Sequence, residues 1–388
     1  MSMKLRSLTV AGYRSLKTIR MEIGDVNVFV GDNGVGKSNL YRALHLAQSA
    51  AEGTFAREIA AEGGMAAVLW TGARKKGRPV RLSIAVELFD EDTALGWRYT
   101  IEAGLTPPMG AGFPFEPQIK EERLSIDQGR RVVDVMKRAG QGLSYRDADG
   151  RMQEYPVRLL SSETGLAALG GSGMHAEAAI VRDTLARFRF YHGFRSDAGS
   201  PLRAASLAVT APMLDMDGSN LAAVMATLKH IRGDTVDLDR AVSDAFKGAG
   251  LDIPLPDREA RFGVVFPQFP QRVFSAAELS DGQIRFLGLA AALLAYRIPP
   301  FIALNEPEAS LHPSMLAPLA DMIARAAKDA QIWVVTHAPK LADLIMERTG
   351  VRARTVIRQD DGSTWIDGMR LTGHFPDEAE EDDDDFDA

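Results

Sequence analysis

The spacing of apolar residues changes period several times along the chain. Residues 4–10 and 19–23 read as short strands, and Val26–Val30 is a continuous β-branched, apolar run, the pattern of a buried strand. Helical spacing follows over residues 38–52, with Leu40, Ala43, Leu44 and Ala47 on one face. Between about residues 66 and 158 the pattern returns to strands, at 81–89, 97–105 and 121–126. Turn residues separate them, among them Pro107-Pro108, Gly110-Ala111-Gly112 and Asp149-Gly150. This region is expected to form an antiparallel lobe. Helices are expected at about 175–190 and 220–231. From Leu279 to Thr349 strand and helix patterns alternate again. The two ends of the chain should therefore complete one α/β sheet around an inserted region. No apolar heptad persists long enough for a coiled-coil arm, and there is no internal repeat.

Composition narrows the picture. A chain of 388 residues exceeds one typical core, so a large α/β domain with an inserted lobe, or two domains, is expected. The absence of cysteine excludes disulfides, Cys-ligated zinc, iron–sulfur clusters and thiol catalysis. The longest apolar run, residues 286–296, is flanked by Arg285 and Arg297. It is too short for a bilayer, which needs about 20 helical residues. No secretory pattern opens the chain, so a cytoplasmic protein without membrane contact is expected. Nine acidic residues between Asp377 and Asp387 account for more than the whole net charge of −7. They leave a near-neutral body and an acidic tail, residues 373–388, expected to be disordered.

Gly31-Asp32-Asn33-Gly34-Val35-Gly36-Lys37-Ser38 carries the most specific chemistry. It fits the phosphate-loop spacing in full, follows an expected buried strand and opens an expected helix. Glycines let backbone N–H groups point at phosphate oxygens, and the helix N-terminus adds its positive end. Lys37 is expected to reach the β- and γ-phosphates of ATP, and the Ser38 hydroxyl to ligate Mg²⁺. Asn39 continues the expected nucleotide contacts. Leu279-Ser280-Asp281-Gly282-Gln283 offers a second anion site at a helix start, although Ser and Asp also serve as plain helix caps. Residues 301–304 form an apolar strand that ends in Asn305-Glu306-Pro307-Glu308, where a strand end could fix a carboxylate that orients water. Residues 332–336 form another apolar strand, with His337 at its end.

In order and spacing these segments resemble the ABC-type ATPase heads of the RecF/SMC-like branch. The resembling blocks are residues 1–50 and 275–345. The resemblance implies a P-loop NTPase fold of ABC-head type with an inserted antiparallel β and helical lobe. The core is expected at 1–60 and 270–372, and the lobe at 61–269. It implies Ser280, Asp281, Gly282 and Gln283 as the signature that contacts ATP on a second copy, Glu306 as the catalytic carboxylate and His337 as the γ-phosphate contact. A homodimer closing on two ATP with Mg²⁺ follows, with DNA or a separate effector protein as further partners. The family usually has Asp where this chain has Asn305, which keeps an oxygen near the Mg²⁺ water shell but loses the charge. Tyr13-Arg14-Ser15 resembles a basic element near the nucleotide, with Arg14 as the candidate. A glutamine between the lobes is unassigned, Gln118 and Gln128 fitting on position alone. Residues 216–221, Met-Asp-Gly-Ser-Asn-Leu, also resemble a segment of stand-alone RecF-like ATPases. The basic clusters 74–78 with Arg81, and 130–131 with Lys137 and Arg138, are candidate DNA contacts.

Overall fold

The computed structural model describes residues 3–73, 81–105, 112–129, 131–173 and 175–375. The chain opens with β1 (Met3–Tyr13), β2 (Leu16–Glu22), β3 (Val26–Val30) and α1 (Lys37–Glu52). The strands β4 (Leu82–Asp90), β5 (Leu95–Gly104), β6 (Gln118–Asp127), β7 (Val132–Ala139), β8 (Gly142–Arg146) and β9 (Met152–Glu154) follow. Then come α2 (Gly165–Gly171), α3 (Ala176–Ala186) and β10 (Arg189–Tyr191). Further on are α4 (Asp281–Leu293), β11 (Phe301–Asn305), α5 (Leu316–Ala326), β12 (Gln331–Val335) and α6 (Pro339–Thr349). The hairpin of β13 (Arg354–Arg358) and β14 (Thr364–Ile366) comes last. The chain divides into two compact units, one of residues 1–24, 31–188 and 355–388, the other of residues 25–30 and 189–354. The expected lobe, 61–269, is thus shared between the units.

In the first unit, eight antiparallel strands pair in the order β2-β1-β4-β5-β6-β7-β8-β9. β1 and β2, from the segment expected to belong to the nucleotide core, are part of this sheet. Strand alternation sends Leu8 and Val10, Leu82, Ile84 and Val86, and Trp97, Tyr99 and Ile101 inward, where they are buried. α1 lies against β1 and β4. Exposed side chains form ion pairs across strands, Arg81–Glu102 and Arg98–Glu87 at 2.9 Å, and along β7, Lys137–Asp134 at 2.8 Å. Such exposed pairs add little stability but neutralise the charges. Of the expected basic clusters, Arg138 is not a surface cation at all. It is 1% exposed and ion-paired with Glu122, because β7 turns it inward. Lys137 is paired as above; residues 74–80, Arg130 and residues 376–388 lie outside the described residues.

Glu122 is a structural joint. Its carboxylate accepts from Tyr99 Oη at 2.7 Å, Arg138 Nη1 at 3.1 Å and the backbone N–H groups of Gly165 and Leu166. The same guanidinium donates to the carbonyls of Gly140 and Leu160. The charged pair is thus compensated and hydrogen-bonded, the condition for keeping charges in a core. Burial, reinforced by Glu122, pushes the Tyr99 phenol well above its ordinary pKa, so it stays a donor.

The second unit carries four parallel strands in the order β10-β11-β12-β3. Helices were expected to continue to residue 190, but α3 stops at Ala186 and Arg189–Tyr191 is a strand. The aromatic pair Phe190 and Tyr191 gains more by pairing beside Ala303 and Leu304, fully buried, than by extending a helix. Trp333 of β12 sits between Phe29 and Phe301, with ring centroids 4.4 and 6.4 Å away. The apolar run at 286–296 falls largely in α4, whose Phe286, Leu287, Ala290 and Leu293 are buried. No helix among the described residues is long and apolar enough to cross a membrane.

Replacing Glu122 with Ala should destabilise the protein by about 3–5 kcal/mol, because Arg138 is left as an unpaired buried charge. Urea unfolding followed by circular dichroism checks this. A loss below about 1 kcal/mol, the level of an exposed pair, would show that water reaches the site.

Candidate functional site

Val30 ends β3, and the phosphate loop begins at the next residue. Its last glycine, Gly36, starts α1 at φ 103°, without a side-chain cap. A side chain there would be strained, and its Cβ would lie 2.0 Å from Thr364 Oγ1 and 2.5 Å from Ser15 Oγ. These two hydroxyls form a brace around the loop. Ser15 Oγ lies 2.6 Å from Thr364 Oγ1 and accepts from Asn39 Nδ2 at 2.7 Å, while Thr364 Oγ1 donates to the Val35 carbonyl at 2.7 Å. Lys37 is 5% exposed, and its ammonium donates to the carbonyls of Gly31 and Asp32. Asp32, Asn33, Gly34 and Ser38 are exposed. The loop thus offers a helix N-terminus without a side-chain cap, a cation folded across it and an open hydroxyl. That donor set fits a polyphosphate with Mg²⁺.

Arg14 sits just before the brace, at φ 47°. Its guanidinium is held by Glu62, through Nε at 2.9 Å and Nη2 at 2.6 Å. Tyr13 Oη and Arg42 bind the same carboxylate. Burial raises the Glu62 carboxyl, but the bonds from Tyr13 and Arg14 outweigh it and leave the group below its ordinary range. Gln118 starts β6 and Gln128 lies in the turn between β6 and β7; the geometry singles out neither.

The second unit gathers the other candidates at one sheet edge. Parallel register aligns Asn305 with Val335 and Val335 with Phe29, so β11, β12 and β3 end together. Glu306 is left-handed at φ 49°, held by its N–H to the Val335 carbonyl at 2.7 Å and by Arg285 Nη2 to its own carbonyl at 3.0 Å. A non-glycine residue in that conformation costs about 1–3 kcal/mol, so its surroundings must hold it. His337 Nδ1 lies 3.8 Å from Glu306 Oε1 and 3.3 Å from Glu308 Oε1. Glu308, which carries no assignment from the sequence, is buried and accepts from Thr336 Oγ1 at 2.6 Å and from the His337 N–H at 3.0 Å. Its position two residues past Glu306 was the available signal. Burial pushes the Arg285 guanidinium below its ordinary pKa, and the carboxylates of Glu308 and Glu306 pull it back. Asn305 Oδ1 is buried without a partner among the described residues. An orphaned oxygen at the strand end fits a contact to a metal-bound water.

Ser280 caps α4. Its Oγ accepts from the Gln283 N–H at 3.3 Å, and Gln283 Oε1 accepts from the Ser280 N–H at 2.8 Å. This capping box is the structural use that Ser and Gln at this spacing allow. Gly282 has a further constraint, since a Cβ there would lie 2.6 Å from the carbonyl oxygen of Ser310. The signature therefore touches the turn after Glu306, where Ser310 is also left-handed, at φ 64°.

Family models match at both ends. The model described as AAA ATPase domain covers residues 3–76, and that described as AAA domain, putative AbiEii toxin, Type IV TA system covers residues 263–343. None of the curated proteins matches the sequence. Among solved structures, the chain is similar to the Smc head domain with an extended coiled coil bound to the C-terminal domain of ScpA from Pyrococcus furiosus. Identity is 14%, coverage 98% of each chain and the TM-score 0.52. It is also similar to an SmcHead bound to the C-winged helix domain of ScpA, at 16% identity, with 94% of this chain and 96% of that chain covered and a TM-score of 0.50. The fold is thus that of an SMC head domain, and the family models that match its two ends are of AAA-type ATPase domains.

Lys37→Ala should weaken ATP binding about 10- to 100-fold, the effect of losing a contact to a charged group. Thr364→Val, which removes the brace and leaves the ammonium, should weaken it several-fold, by roughly 1 kcal/mol. Calorimetric titration with ATP and Mg²⁺ measures both. Undiminished affinity in Lys37→Ala would overturn the phosphate-loop assignment.

Proposed function

We propose that this chain binds ATP and Mg²⁺ through residues 31–39 and hydrolyses ATP as a nucleotide-closed homodimer. The observation that supports this best is Glu306, held left-handed beside His337 at the carboxyl edge of parallel strands. In open α/β sheets that edge is where ligands bind. Glu306 orients and deprotonates the attacking water with a half-exposed carboxylate, its backbone being held by Val335 and Arg285. His337 contacts the γ-phosphate, with Glu308 fixing its backbone. Magnesium, when bound, offsets phosphate charge, with Ser38 as ligand and Asn305 acting through water. Ser280, Asp281, Gly282 and Gln283 face the nucleotide of the second copy. Arg14 joins the nucleotide site on leaving Glu62.

The reading extends to cytoplasmic work in DNA repair, chromosome maintenance or phage defence. The toxin–antitoxin wording of one family model supports the last, with a separate protein as effector. The solved heads are bound to ScpA domains, which supports a protein partner for this head as well. DNA is a proposed ligand of the assembled head rather than of the outer sheet face, where Arg81, Arg98 and Lys137 are already paired.

A second reading is a nucleotide-gated scaffold with negligible hydrolysis. The neutral Asn305, whose Oδ1 has no partner among the described residues, favours it, because a missing charge matters most in a water-poor interface.

Steady-state hydrolysis across a Mg²⁺ titration separates the two readings. The wild type should turn over below the roughly 1–100 s⁻¹ typical of kinases. Asn305→Asp should lower the Mg²⁺ midpoint and raise the rate, and Glu306→Gln should abolish turnover and accumulate dimer in light scattering. A rate unaffected by Glu306→Gln would remove that residue from catalysis. Ser280→Arg should still bind ATP yet fail to dimerise with it; normal dimerisation would leave the signature as a helix cap only.

A further inference from the structure

Arg203 has no assigned role, yet it makes the densest set of side-chain contacts to the signature segment. It ends the short 3-10 helix Pro201–Arg203, and its side chain is 8% exposed. Nη1 donates to the carbonyls of Leu279 at 2.6 Å, Ala276 at 3.1 Å and Ala277 at 3.3 Å. Nη2 donates to Asp281 Oδ1 at 2.8 Å. The other edge of the guanidinium, Nε and Nη2, donates to the Ser196 carbonyl at 3.0 and 2.8 Å. One planar group thus ties residues 196 and 203 to both sides of Ser280.

The neighbouring residue anchors this hold. Leu202 is fully buried. A Cβ on Gly218 would lie 2.4 Å from its Cδ2, and a Cβ on Gly288 of α4 would lie 3.1 Å from the same atom. Gly218 is held at φ 76° within the Met-Asp-Gly-Ser-Asn-Leu segment, where Asn220 bonds the N–H of Asp215 and the carbonyl of Met213. The two glycines allow Leu202 to seat between this segment and α4. That gives the segment at 216–221 a physical task the sequence did not disclose.

We propose that Arg203 is the positioning residue of the signature segment. It fixes the backbone entering Ser280 and orients Asp281, with the Gly218 segment holding Arg203 in register through Leu202. The consequence for ATP rests on the two-headed reading above, because the signature acts there on the nucleotide of the second copy. Arg203 touches no nucleotide phosphate in this account. Lysine cannot replace it, since an ammonium lacks the planar fork that reaches Leu279, Asp281 and Ser196 together.

The experiment compares wild type, Arg203→Lys, Arg203→Ala and Asp281→Asn as full chains. Amide hydrogen exchange without nucleotide reads the segment directly. Exchange over residues 277–284 should rise in both Arg203 variants and less in Asp281→Asn, with residues 31–52 unchanged. Exchange unchanged over 277–284 in Arg203→Ala overturns the proposal. Light scattering with ATP and Mg²⁺ then reads the consequence. Arg203→Ala should need about tenfold more protein to dimerise, or further still, as loss of a charged hydrogen-bond network implies. Its binding of fluorescent ATP as a monomer should match wild type. Dimerisation at the wild-type concentration, or full rescue by Lys, also overturns the positioning role. A wild type that stays monomeric with ATP overturns the two-headed reading instead, and the exchange result still decides Arg203. Asp281→Asn keeps the core contacts and covers the case in which an Arg203 variant unfolds.

Discussion

The site depends on one pairing, that of β3 with β12, strands separated by some three hundred residues of chain. Val28 lies opposite Val334 and Phe29 opposite Val335, and β11 pairs on the other side of β12. Because all three run parallel and each is apolar but for one residue, a slip in register would break a core centred on Trp333. The same register brings three strand ends to one edge. The candidate residues Asn305, Glu306 and His337 lie where the strands leave the sheet there. Packing therefore sets their positions before any polar contact does.

Three of the five non-glycine residues in the left-handed region among the described residues, Arg14, Glu306 and Ser310, lie at or beside the candidate residues, while Ala94 and Lys247 lie elsewhere. Each of the three is over-determined by its neighbours: Arg14 by Glu62, Glu306 by Val335 and Arg285, and Ser310 by the close approach of Gly282. Such strain persists only where surrounding structure exceeds its cost, and it concentrates at functional sites. In the first unit the corresponding device is a pair of hydroxyls, Ser15 and Thr364, that fill the space a side chain on Gly36 would need.

Charge at the strand ends is balanced with few groups. Arg285 faces Glu306 and Glu308, and His337 stands between the two carboxylates. An aspartate at 305 would add a third carboxylate beside the half-buried Arg285. Asn305 adds no charge, and its Oδ1 has no partner among the described residues. Among the described residues of the first unit, Arg81, Arg98 and Lys137 are likewise neutralised by neighbouring acids, two of them across strands and one along a strand.

The sequence by itself determined the elements whose signal is local. The glycine-rich loop at 31–38, the apolar strands at 26–30, 301–304 and 332–336 and the first three antiparallel strands after residue 80 follow from glycine spacing and apolar period, whereas β7, β8 and β9 do not. The strand at Arg189–Tyr191 was hidden because three residues after a helix carry no period of their own; pairing with β11 decides them. Arg138 reads as a surface cation until β7 turns it towards Glu122. Glu308, Thr364 and Arg203 escaped for one shared reason. Their roles are hydrogen bonds to groups 28, 329 and up to 78 residues away in the chain, and a single sequence holds no trace of such distances. Local chemistry fixed which residues could act, whereas long-range packing alone decided which side chains would hold them in place.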